Sequence, residues 1–409
     1  MQNTEEIIRQ AEQDCKPMFH KIDEVCLYNQ EKVLKAFQDC KVTLSQFAGS
    51  SGYGYDDVGK LKLNEVFAHI FHAEDALVSP LITCGTHALS LTLFALLRPN
   101  DTFVCVSGEP YDTLHDVIYG ENNGSLKEWG VHFDAINLLD DGNFDMPAIC
   151  SFVKEKQPKL VYIQRSRGYA WRNAISMEQV KEVVQNVKDI APETIVMVDN
   201  CYGEFVDKIE PTDVGADVAV GSLIKNPGGG IAPTGAYIVG TKKCIEQVAF
   251  RLTAPSLGVE VGSYIGSYTM FFEGVFLAPH VVAGALKGAL LMGRTMERLG
   301  YKTSPATNVY PQDIIRSVEF KTKEELIAFV QTIQKVSPVD SFVVPEPWAM
   351  PGYTTDVIMA AGTFVQGASI ELSCDSPIKA PYIAYMQGGL TYEHIKLAVK
   401  YCVNALQNK

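Results

Sequence analysis

The sequence lacks the features that mark nucleic-acid-binding, fibrous and disordered proteins. It has no excess of basic residues, because 48 Asp and Glu outnumber 35 Lys and Arg and give a formal net charge of -13. Binding along a nucleic-acid backbone depends on clustered basic residues, so we expect no nucleic-acid partner, although one anionic ligand stays compatible with this charge. Hydrophobic residues make up 47% and charged residues 20% of the 409 positions, which indicates an ordinary globular protein.

Paired cysteines and a leader segment are also missing. The ten cysteines are scattered and include no Cys-x-x-Cys pair, and the first 14 residues are polar and acidic. We therefore expect reduced thiols, no signal peptide and a cytoplasmic location. The longest apolar stretch, residues 274–293, is interrupted by Pro279, His280 and Lys287. We interpret it as a buried or interface helix and expect no membrane partner.

Hydrophobic patterning predicts an α/β protein. Residues 1–45 have helical periodicity, and helices then alternate with short apolar strands up to about residue 250. The expected strands cover residues 76–82, 102–107, 160–164, 194–199, 218–221 and 235–239. This alternation predicts a mostly parallel sheet with helices on both faces.

The rest of the chain predicts a smaller C-terminal α+β domain. Strands are expected at residues 317–320, 341–344 and 368–372, and helices at 323–335 and 392–407. The expected organisation is an N-terminal helical segment (1–48), a large domain (49–285) and a small domain (286–409).

Two charged residues lie at the ends of expected strands, where open α/β sheets bind ligands. Lys225 lies between an apolar strand and the turn Asn-Pro-Gly-Gly-Gly. An apolar environment disfavours a charged lysine, so its amine would be nucleophilic, as a Schiff base with a carbonyl cofactor requires. Asp199 follows four apolar residues, and a buried carboxylate needs a partner. The alternatives are a surface lysine in an ordinary turn, and an aspartate that caps a helix or binds a metal ion.

Two further features fall at neighbouring strand ends. Gly85, Thr86 and His87 lie where a strand turns into an amphipathic helix, whose first N–H groups favour an anion. Tyr111 follows the strand at 102–107 and can stack on a planar ring. The simpler interpretations are a helix cap formed by Thr86 and a tyrosine of the core or rim.

Together, an anion site, a stacking aromatic, a buried acid and a nucleophilic lysine describe a pocket for pyridoxal phosphate. The sequence resembles the fold-type I pyridoxal phosphate enzymes, and within them the cystathionine beta-lyase and methionine gamma-lyase group. The strongest resemblance is to the cystathionine-beta-lyase-like, or aluminium-resistance, proteins. It rests on motifs at residues 52–57, 85–88, 164–169, 198–204, 221–230 and 385–394. The expected fold is therefore the fold-type I transferase fold, with a seven-stranded sheet.

The resemblance assigns a role to each cofactor-binding residue. Lys225 corresponds to the Schiff-base lysine, and Asp199 to the acid that keeps the pyridine nitrogen protonated. Tyr111 corresponds to the stacking aromatic, which can also protonate the departing sulfur. The remaining contacts are Cys201 on the other face of the ring, and Gly85, Thr86, His87 and Ser222 around the phosphate. Ile224 stands where some relatives carry a second phosphate-binding hydroxyl.

The substrate site departs from the transsulfuration pattern. Tyr53 and Tyr55 correspond to a tyrosine that reaches the neighbouring subunit's phosphate, and Arg167 to a contact with the cofactor hydroxyl or substrate. Glu371 stands where transsulfuration enzymes carry a carboxylate-binding arginine, and Lys379 stands where near relatives carry arginine. Lysine lacks the bidentate fork of arginine, so we expect substrate binding to differ here.

The implied activity is a carbon–sulfur lyase that acts on a sulfur-containing amino acid of the cystathionine or methionine type. Lys225 would abstract the α-proton before β- or γ-elimination, in a homodimer or homotetramer with shared active sites. Two alternatives stay open: a pyridoxal phosphate-binding protein with a regulatory or stress role, and an aminotransferase. We expect no metal site at His69 and His72, because no third ligand has a suitable spacing.

Overall fold

The computed structural model describes residues 3–349 and 355–407. Its helices are α1 (Thr4–Asp39), α2 (Val58–Ile70), α3 (Gly85–Leu96), α4 (Asp112–Tyr119), α5 (Met146–Lys156), α6 (Met177–Ile190), α7 (Lys242–Leu252), α8 (Thr269–Arg298), α9 (Lys323–Val336) and α10 (Tyr392–Gln407). Its strands are β1 (Asp75–Ser79), β2 (Thr102–Cys105), β3 (His132–Ala135), β4 (Leu160–Gln164), β5 (Ile195–Asp199), β6 (Val218–Ser222), β7 (Ala236–Gly240), β8 (Lys302–Ser304), β9 (Ile315–Phe320), β10 (Val357–Ala360), β11 (Ser373–Pro377) and β12 (Tyr382–Gln387).

The large domain contains a seven-stranded sheet in the order β1-β7-β6-β5-β4-β2-β3. Strands β2 to β6 pair in parallel, while β7 runs antiparallel to both of its neighbours, β1 and β6. This confirms the expected mostly parallel sheet. Gln164 pairs with Asp199, and Asp199 with Val220, so the carboxyl ends of β4, β5 and β6 lie at one edge.

Both faces of this sheet are buried, which explains its nearly continuous apolar strands. In β6, Val218 and Val220 pack with helices α3 and α7 on one face, while Ala219 packs with α2 and α8 on the other. At the β2–β4–β5 part of the sheet, α5 and α6 cover that second face. Because helices cover both faces, polar side chains of these strands can contact a ligand only at the carboxyl edge of the sheet.

The small domain is built on a five-stranded antiparallel sheet in the order β10-β11-β12-β9-β8. Helices α9 and α10 pack with this sheet in a second apolar core. Two expected strands were wrong. Residues 341–344 form an irregular, exposed segment, and residues 368–372 form turns that precede β11.

Two long helices connect the domains. The first part of α1 and the last part of α8 pack in the small-domain core, whereas their other halves pack in the large-domain core. The expected boundary at residue 285 falls inside α8. By length and composition α8 could cross a membrane, yet 72% of its most apolar 18-residue window is buried within the protein. It is therefore a core helix, as the interrupted apolar stretch led us to expect.

Helix α8 also touches the turn that follows Lys225. A Cβ atom added at Gly274 of α8 would lie 2.4 Å from the carbonyl oxygen of Gly228, which is closer than real atoms approach. Gly274 thus lets the helix backbone pack directly on this turn. Ten residues further along the same helix, a Cβ at Gly284 would meet only the backbone nitrogen of Tyr392, at 3.6 Å.

We predict that Gly274→Ala destabilises the protein by about 1–3 kcal/mol, because the added methyl group forces α8 away from the turn. The matched control Gly284→Ala should stay within about 1 kcal/mol of the wild type or stabilise it, because alanine is favoured in helices. Urea denaturation of both variants measures the difference. Equal stability of the two variants would show that the contact between α8 and the turn carries no energetic weight.

Candidate active site

A cavity of about 240 Å³ lies at the carboxyl edge of the large sheet. One wall is formed by the ends of β5 and β6, the N-terminus of α3 and the segment around Tyr111. Another part of its lining comes from β9, β11 and β12 of the small domain. The structure therefore brings together, in one cavity, Gly85, Thr86, Tyr111, Asp199, Cys201, Ser222 and Lys225 of the predicted site.

Lys225 lies three residues after the end of β6 and immediately precedes a short 3-10 turn, Asn226–Gly228. Its Nζ lies 4.2 Å from the centre of the Tyr202 ring, which is a favourable distance for a cation over an aromatic face. Tyr202 itself has a φ of 72°, a left-handed conformation that is uncommon for a residue other than glycine. Such local strain is typical of positions that the surrounding structure holds for function.

The charge state of Lys225 differs from our expectation. Burial opposes the charged amine, but Cys201, Tyr202, Asp199 and Glu204 surround it with acidic groups and raise the pKa of Lys225 above its ordinary value. Lys225 is thus buried, as its apolar neighbours led us to expect, but the acidic groups around it favour its charged form.

Asp199 ends β5 and is almost completely buried. Its Oδ1 accepts a hydrogen bond from the backbone nitrogen of Cys201 at 3.1 Å, and its Oδ2 accepts one from the hydroxyl of Tyr162 at 3.4 Å. Burial raises the pKa of Asp199, while nearby Lys225 acts to lower it. A cationic group of a bound ligand would stabilise this carboxylate in the same way as the lysine does.

The N-terminus of α3 and Ser222 form a polar corner of the cavity. The helix cap is Cys84, whose Sγ accepts a hydrogen bond from the backbone nitrogen of His87 at 3.4 Å, and not Thr86. The preceding N–H groups, of Gly85 and Thr86, have no acceptor within the helix. The buried hydroxyl of Ser222 has no hydrogen-bond partner among the residues that the structure describes. These donors together can hold an anion.

Small residues keep this corner open. A Cβ at Gly85 would lie 3.5 Å from the Cβ of Ser222 and 3.7 Å from the Sγ of Cys201, so a larger side chain would occupy the space between them. Tyr111 lines the adjacent wall, and its backbone nitrogen donates to Oε1 of Gln164 at 2.7 Å. This bond fixes the start of α4 next to the end of β4.

Other predicted residues lie outside this cavity. The Nδ1 of His87 accepts a hydrogen bond from the backbone nitrogen of Thr83 at 3.1 Å, and the residue lines a separate cavity beside Lys60. Tyr53 and Tyr55 stack on each other at 5.4 Å and are 73% and 60% exposed. Neither residue lines the cavity of this single chain.

Arg167 has a structural environment that the sequence did not indicate. Its side chain is fully buried and forms an ion pair with Asp313, with Nε 3.4 Å from Oδ2. It also donates to the carbonyl oxygens of Ser304 at 3.1 Å and Ile315 at 2.6 Å. All these partners belong to the part of the chain around β8 and β9, so Arg167 holds the two domains together.

The two residues discussed for the substrate carboxylate also lie apart from Lys225. Glu371 accepts hydrogen bonds from the backbone nitrogens of Phe364 and Val365, each at 2.9 Å, and thereby stabilises a turn. Lys379 is exposed and lines an outer cleft. This outer cleft shares Tyr111, Gly168 and Tyr169 with the cavity, so the two spaces adjoin.

Sequence reasoning missed the small-domain part of the cavity. Asp375 on β11 and Tyr385 and Gln387 on β12 line it, and Tyr202 lies beneath Lys225. Tyr202, Tyr385 and Gln387 fall within the motifs named above, yet no spacing rule indicated that they face one cavity. In the described ranges, no group of three His, Cys, Asp or Glu residues could hold a metal ion. His69 pairs with Asp39 at 3.1 Å, and His72 with Asp213 at 2.6 Å.

The fold defines the class of protein. The structure is similar to that of the pyridoxal-5'-phosphate dependent protein YhfS from Escherichia coli, with a TM-score of 0.64 at 14% identity, covering 94% of this chain and 97% of that one. This similarity shows that the chain has the fold of the pyridoxal phosphate-dependent enzymes.

Sequence comparison identifies the family. The family model for methionine gamma-lyase matches residues 4–407, so the chain belongs to the methionine gamma-lyase family. It is 47% identical to the uncharacterised protein YnbB of Bacillus subtilis (strain 168) over 98% of this chain and 96% of that protein. A Clostridium novyi NT structure described as a carbon-sulfur lyase involved in aluminum resistance is 48% identical, with a TM-score of 0.94, over 98% of this chain and 95% of that one. The stated family resemblance is thus confirmed.

The residues in the cavity fit the cofactor that this family implies. The unpartnered Ser222 hydroxyl and the free N–H groups of α3 suit a phosphate, and Asp199 suits a protonated ring nitrogen. The space bounded by Gly85, Ser222 and Cys201 would be closed by a single added methyl group. Charge, donors and space therefore agree with a phosphorylated pyridine.

A buried acid below the cavity generates a stability prediction. Glu204 is completely buried; its Oε1 accepts a hydrogen bond from the hydroxyl of Tyr237 at 2.9 Å, while its Oε2 has no partner among the described residues. Burial, together with the charge of Glu210, raises the pKa of Glu204 from 4.5 to about 8. The folded state therefore keeps a proton that the unfolded state releases above pH 4.5.

We predict that the free energy of unfolding falls between pH 4.5 and pH 8 in the wild type, and that Glu204→Gln removes part of this fall. One proton contributes at most about 1.4 kcal/mol per pH unit to the slope. Urea denaturation across this pH range measures it, and Glu182→Gln, which changes an exposed carboxylate on α6, is the control. An unchanged slope in Glu204→Gln would contradict the raised pKa.

Proposed function

We propose that this protein is a pyridoxal phosphate-dependent carbon–sulfur lyase that acts on a sulfur-containing amino acid. The observation that carries the proposal is the convergence of Lys225, Asp199 and Ser222 in one cavity beside the N-terminus of α3. Membership of the methionine gamma-lyase family supports the reaction type. The name carbon-sulfur lyase, given to the related Clostridium novyi NT protein, agrees with it.

In this proposal the large domain holds the cofactor. Ser222 and the backbone N–H groups of Gly85 and Thr86 would bind the phosphate, and Asp199 would balance the charge of the ring nitrogen. Tyr111 and Cys201 would enclose the ring, and Lys225 would be linked to it covalently. When bound, pyridoxal phosphate supplies an electron sink that stabilises negative charge at the substrate α-carbon.

The chain's own residues would then manage the protons. Exchange of the substrate amine for Lys225 on the cofactor would free Nζ, which could then take the proton from the substrate α-carbon while Asp199 balances the ring nitrogen. The hydroxyl of Tyr111 would donate a proton to the departing sulfur. Leu89, Leu114, Ile224 and Ile315 supply apolar surface in the same cavity, which suits the sulfur and methylene groups of a thioether.

We further propose that the cytoplasmic protein works as a homodimer or homotetramer. The carbonyl oxygen of Tyr53 accepts a hydrogen bond from Gly262 at 2.9 Å, so the segments around these residues pack together. They expose Tyr53, Tyr55 and Ile265, the last to 88%. An exposed cluster of large apolar and aromatic side chains is typical of an interaction surface, and a second copy placed there could share its active site.

Release of a 2-oxo acid tests the activity directly. The holoenzyme should release a 2-oxo acid from at least one of cystathionine, methionine or homocysteine. Bound cofactor without turnover of any of these amino acids would favour a regulatory binding protein. Transfer of the amino group to an added 2-oxo acid, without release of a thiol, would instead identify an aminotransferase.

We predict that Lys225→Ala abolishes both lyase activity and the covalent, borohydride-reducible attachment of the cofactor. The alanine side chain has no amine to form the link or to take the α-proton. Mass spectrometry after borohydride treatment measures the attachment. Lys35→Ala, which alters an exposed lysine on α1, should keep both properties. A reducible link that persists in Lys225→Ala would overturn the assignment.

We predict that Ser222→Ala raises the dissociation constant of pyridoxal phosphate by about tenfold to a hundredfold, because one hydrogen bond to a charged group is lost. Absorption titration of the apoprotein measures this change without relying on turnover. Ser151→Ala, at an exposed position on α5, serves as the control. An affinity equal to that of the wild type would mean that Ser222 does not contact the phosphate.

A further inference from the structure

The small domain contributes an acid to the cavity that the mechanism above does not use. Asp375 lies on β11 and pairs with Tyr385 on β12, and both residues line the cavity together with Gln387. The large domain contributes Lys225 and Asp199 to the same space. The cavity therefore has a reacting end, formed by the large domain, and a second acidic wall formed by the small domain.

Asp375 has little to stabilise its charge. Within the part of the chain that the structure describes, its carboxylate accepts one hydrogen bond, from Nε2 of Gln387 to Oδ2 at 3.4 Å. Across residues 3–349 and 355–407, no lysine or arginine forms an ion pair with Asp375. Burial raises the pKa of Asp375 from 3.8 to about 7. A carboxylate that opens into a cavity without a cationic partner is stabilised when a ligand brings one.

We propose that Asp375 determines specificity by selecting amino acids whose side chain carries a second ammonium group at its far end. This inference rests on the proposed function, since the α-amino group of the substrate is used at the reacting end, beside Lys225. A cationic group further along the side chain would then reach the small-domain wall. Asp375 is the acid available there to bind it.

The charge of the other lining residues supports this choice. Among the described residues that line the cavity, Lys225 is the only lysine and no arginine is present. A substrate whose far end carried a carboxylate alone would meet Asp375 and be repelled. Lys379 lies in the adjoining outer cleft, where it can accept a carboxylate beyond the ammonium group.

Two pairs of compounds test the inference at a pH above 7, where Asp375 is ionised. S-(2-aminoethyl)-L-cysteine ends in an ammonium group, whereas S-propyl-L-cysteine ends in a methyl group at the same position. Both compounds carry a sulfur leaving group. L-Lysine and L-2-aminoheptanoic acid have the same difference without a leaving group. The first pair is compared by kcat/KM, and the second by calorimetric dissociation constants, both with the holoenzyme.

We expect the wild type to prefer the ammonium compound of each pair by about tenfold to a hundredfold, the range of a hydrogen bond to a charged group. Asp375→Asn keeps the size of the side chain and removes its charge, so it should abolish the preference while leaving the apolar compound nearly unaffected. Asp356→Asn, an exposed position of the same domain, should keep the preference of the wild type.

The two pairs separate failure of this inference from failure of the proposed function. Cleavage of both cysteine derivatives with equal efficiency and equal binding of the second pair would overturn the role of Asp375 and leave the lyase intact. Preferential binding of lysine without cleavage of either cysteine derivative would support Asp375 and reject the lyase. Since the wild-type preference is measured without any variant, a poorly folded Asp375→Asn protein leaves the test decisive. If a folded Asp375→Asn protein lost kcat/KM or affinity equally for both compounds of a pair, the inference would also be overturned.

Discussion

The site depends on burying a lysine and a carboxylate side by side at the edge of a sheet whose faces are both covered. Lys225 follows β6 and Asp199 ends β5, and the register of these strands places Asp199 opposite Val220. Burial disfavours the charged form of both groups, and each stabilises the charge of the other. A ligand with a cationic ring nitrogen and a carbonyl group can enter because it takes over both interactions.

The rest of the structure keeps this edge in place. On one side, Gly274 allows α8 to pack on the backbone of the turn that follows Lys225. On the other side, Arg167 joins the end of β4 to the small domain through Asp313 and the carbonyl oxygens of Ser304 and Ile315. Ile315 itself lines the cavity, so Arg167 positions the wall that faces the reacting end. Arg167, which we expected to contact the cofactor hydroxyl or substrate, also lines the outer cleft beside the cavity.

Most of the fold could be predicted from periodicity, because strands buried on both faces are short, apolar and separated by amphipathic helices. The expected strand at residues 341–344 failed for a physical reason. Phe342 and Val344 favour strands, but they are 85% and 67% exposed, and strand preference expresses packing against neighbours that are missing there among the described residues. In residues 368–372 the apolar side chains are buried, yet Glu371 binds backbone nitrogens of a preceding turn. None of the strands in the described ranges pairs with this segment.

The candidate site was predictable where one strand and its following turn supply each residue. Gly85, Asp199, Ser222 and Lys225 each lie within a few residues of a strand end, and parallel strands bring their carboxyl ends together. The small-domain wall could not be found in this way. It is supplied by antiparallel strands of another sheet, whose position relative to Lys225 depends on α1, α8 and Arg167 rather than on local sequence.

Two carboxylates of the small domain show why residue type alone does not assign a role. Glu371 and Asp375 are four positions apart, and burial raises the pKa of both. Both carboxylate oxygens of Glu371 accept backbone hydrogen bonds from a turn. The carboxylate of Asp375 accepts one hydrogen bond, from the side-chain amide of Gln387, and lines the cavity. A charge whose interactions are complete contributes to the fold, and a charge whose interactions are incomplete can select a ligand. The described cavity wall contains no arginine, so the charge of Asp375 is not compensated there. In the inference drawn above, this uncompensated acid favours a cation at the far end of the substrate.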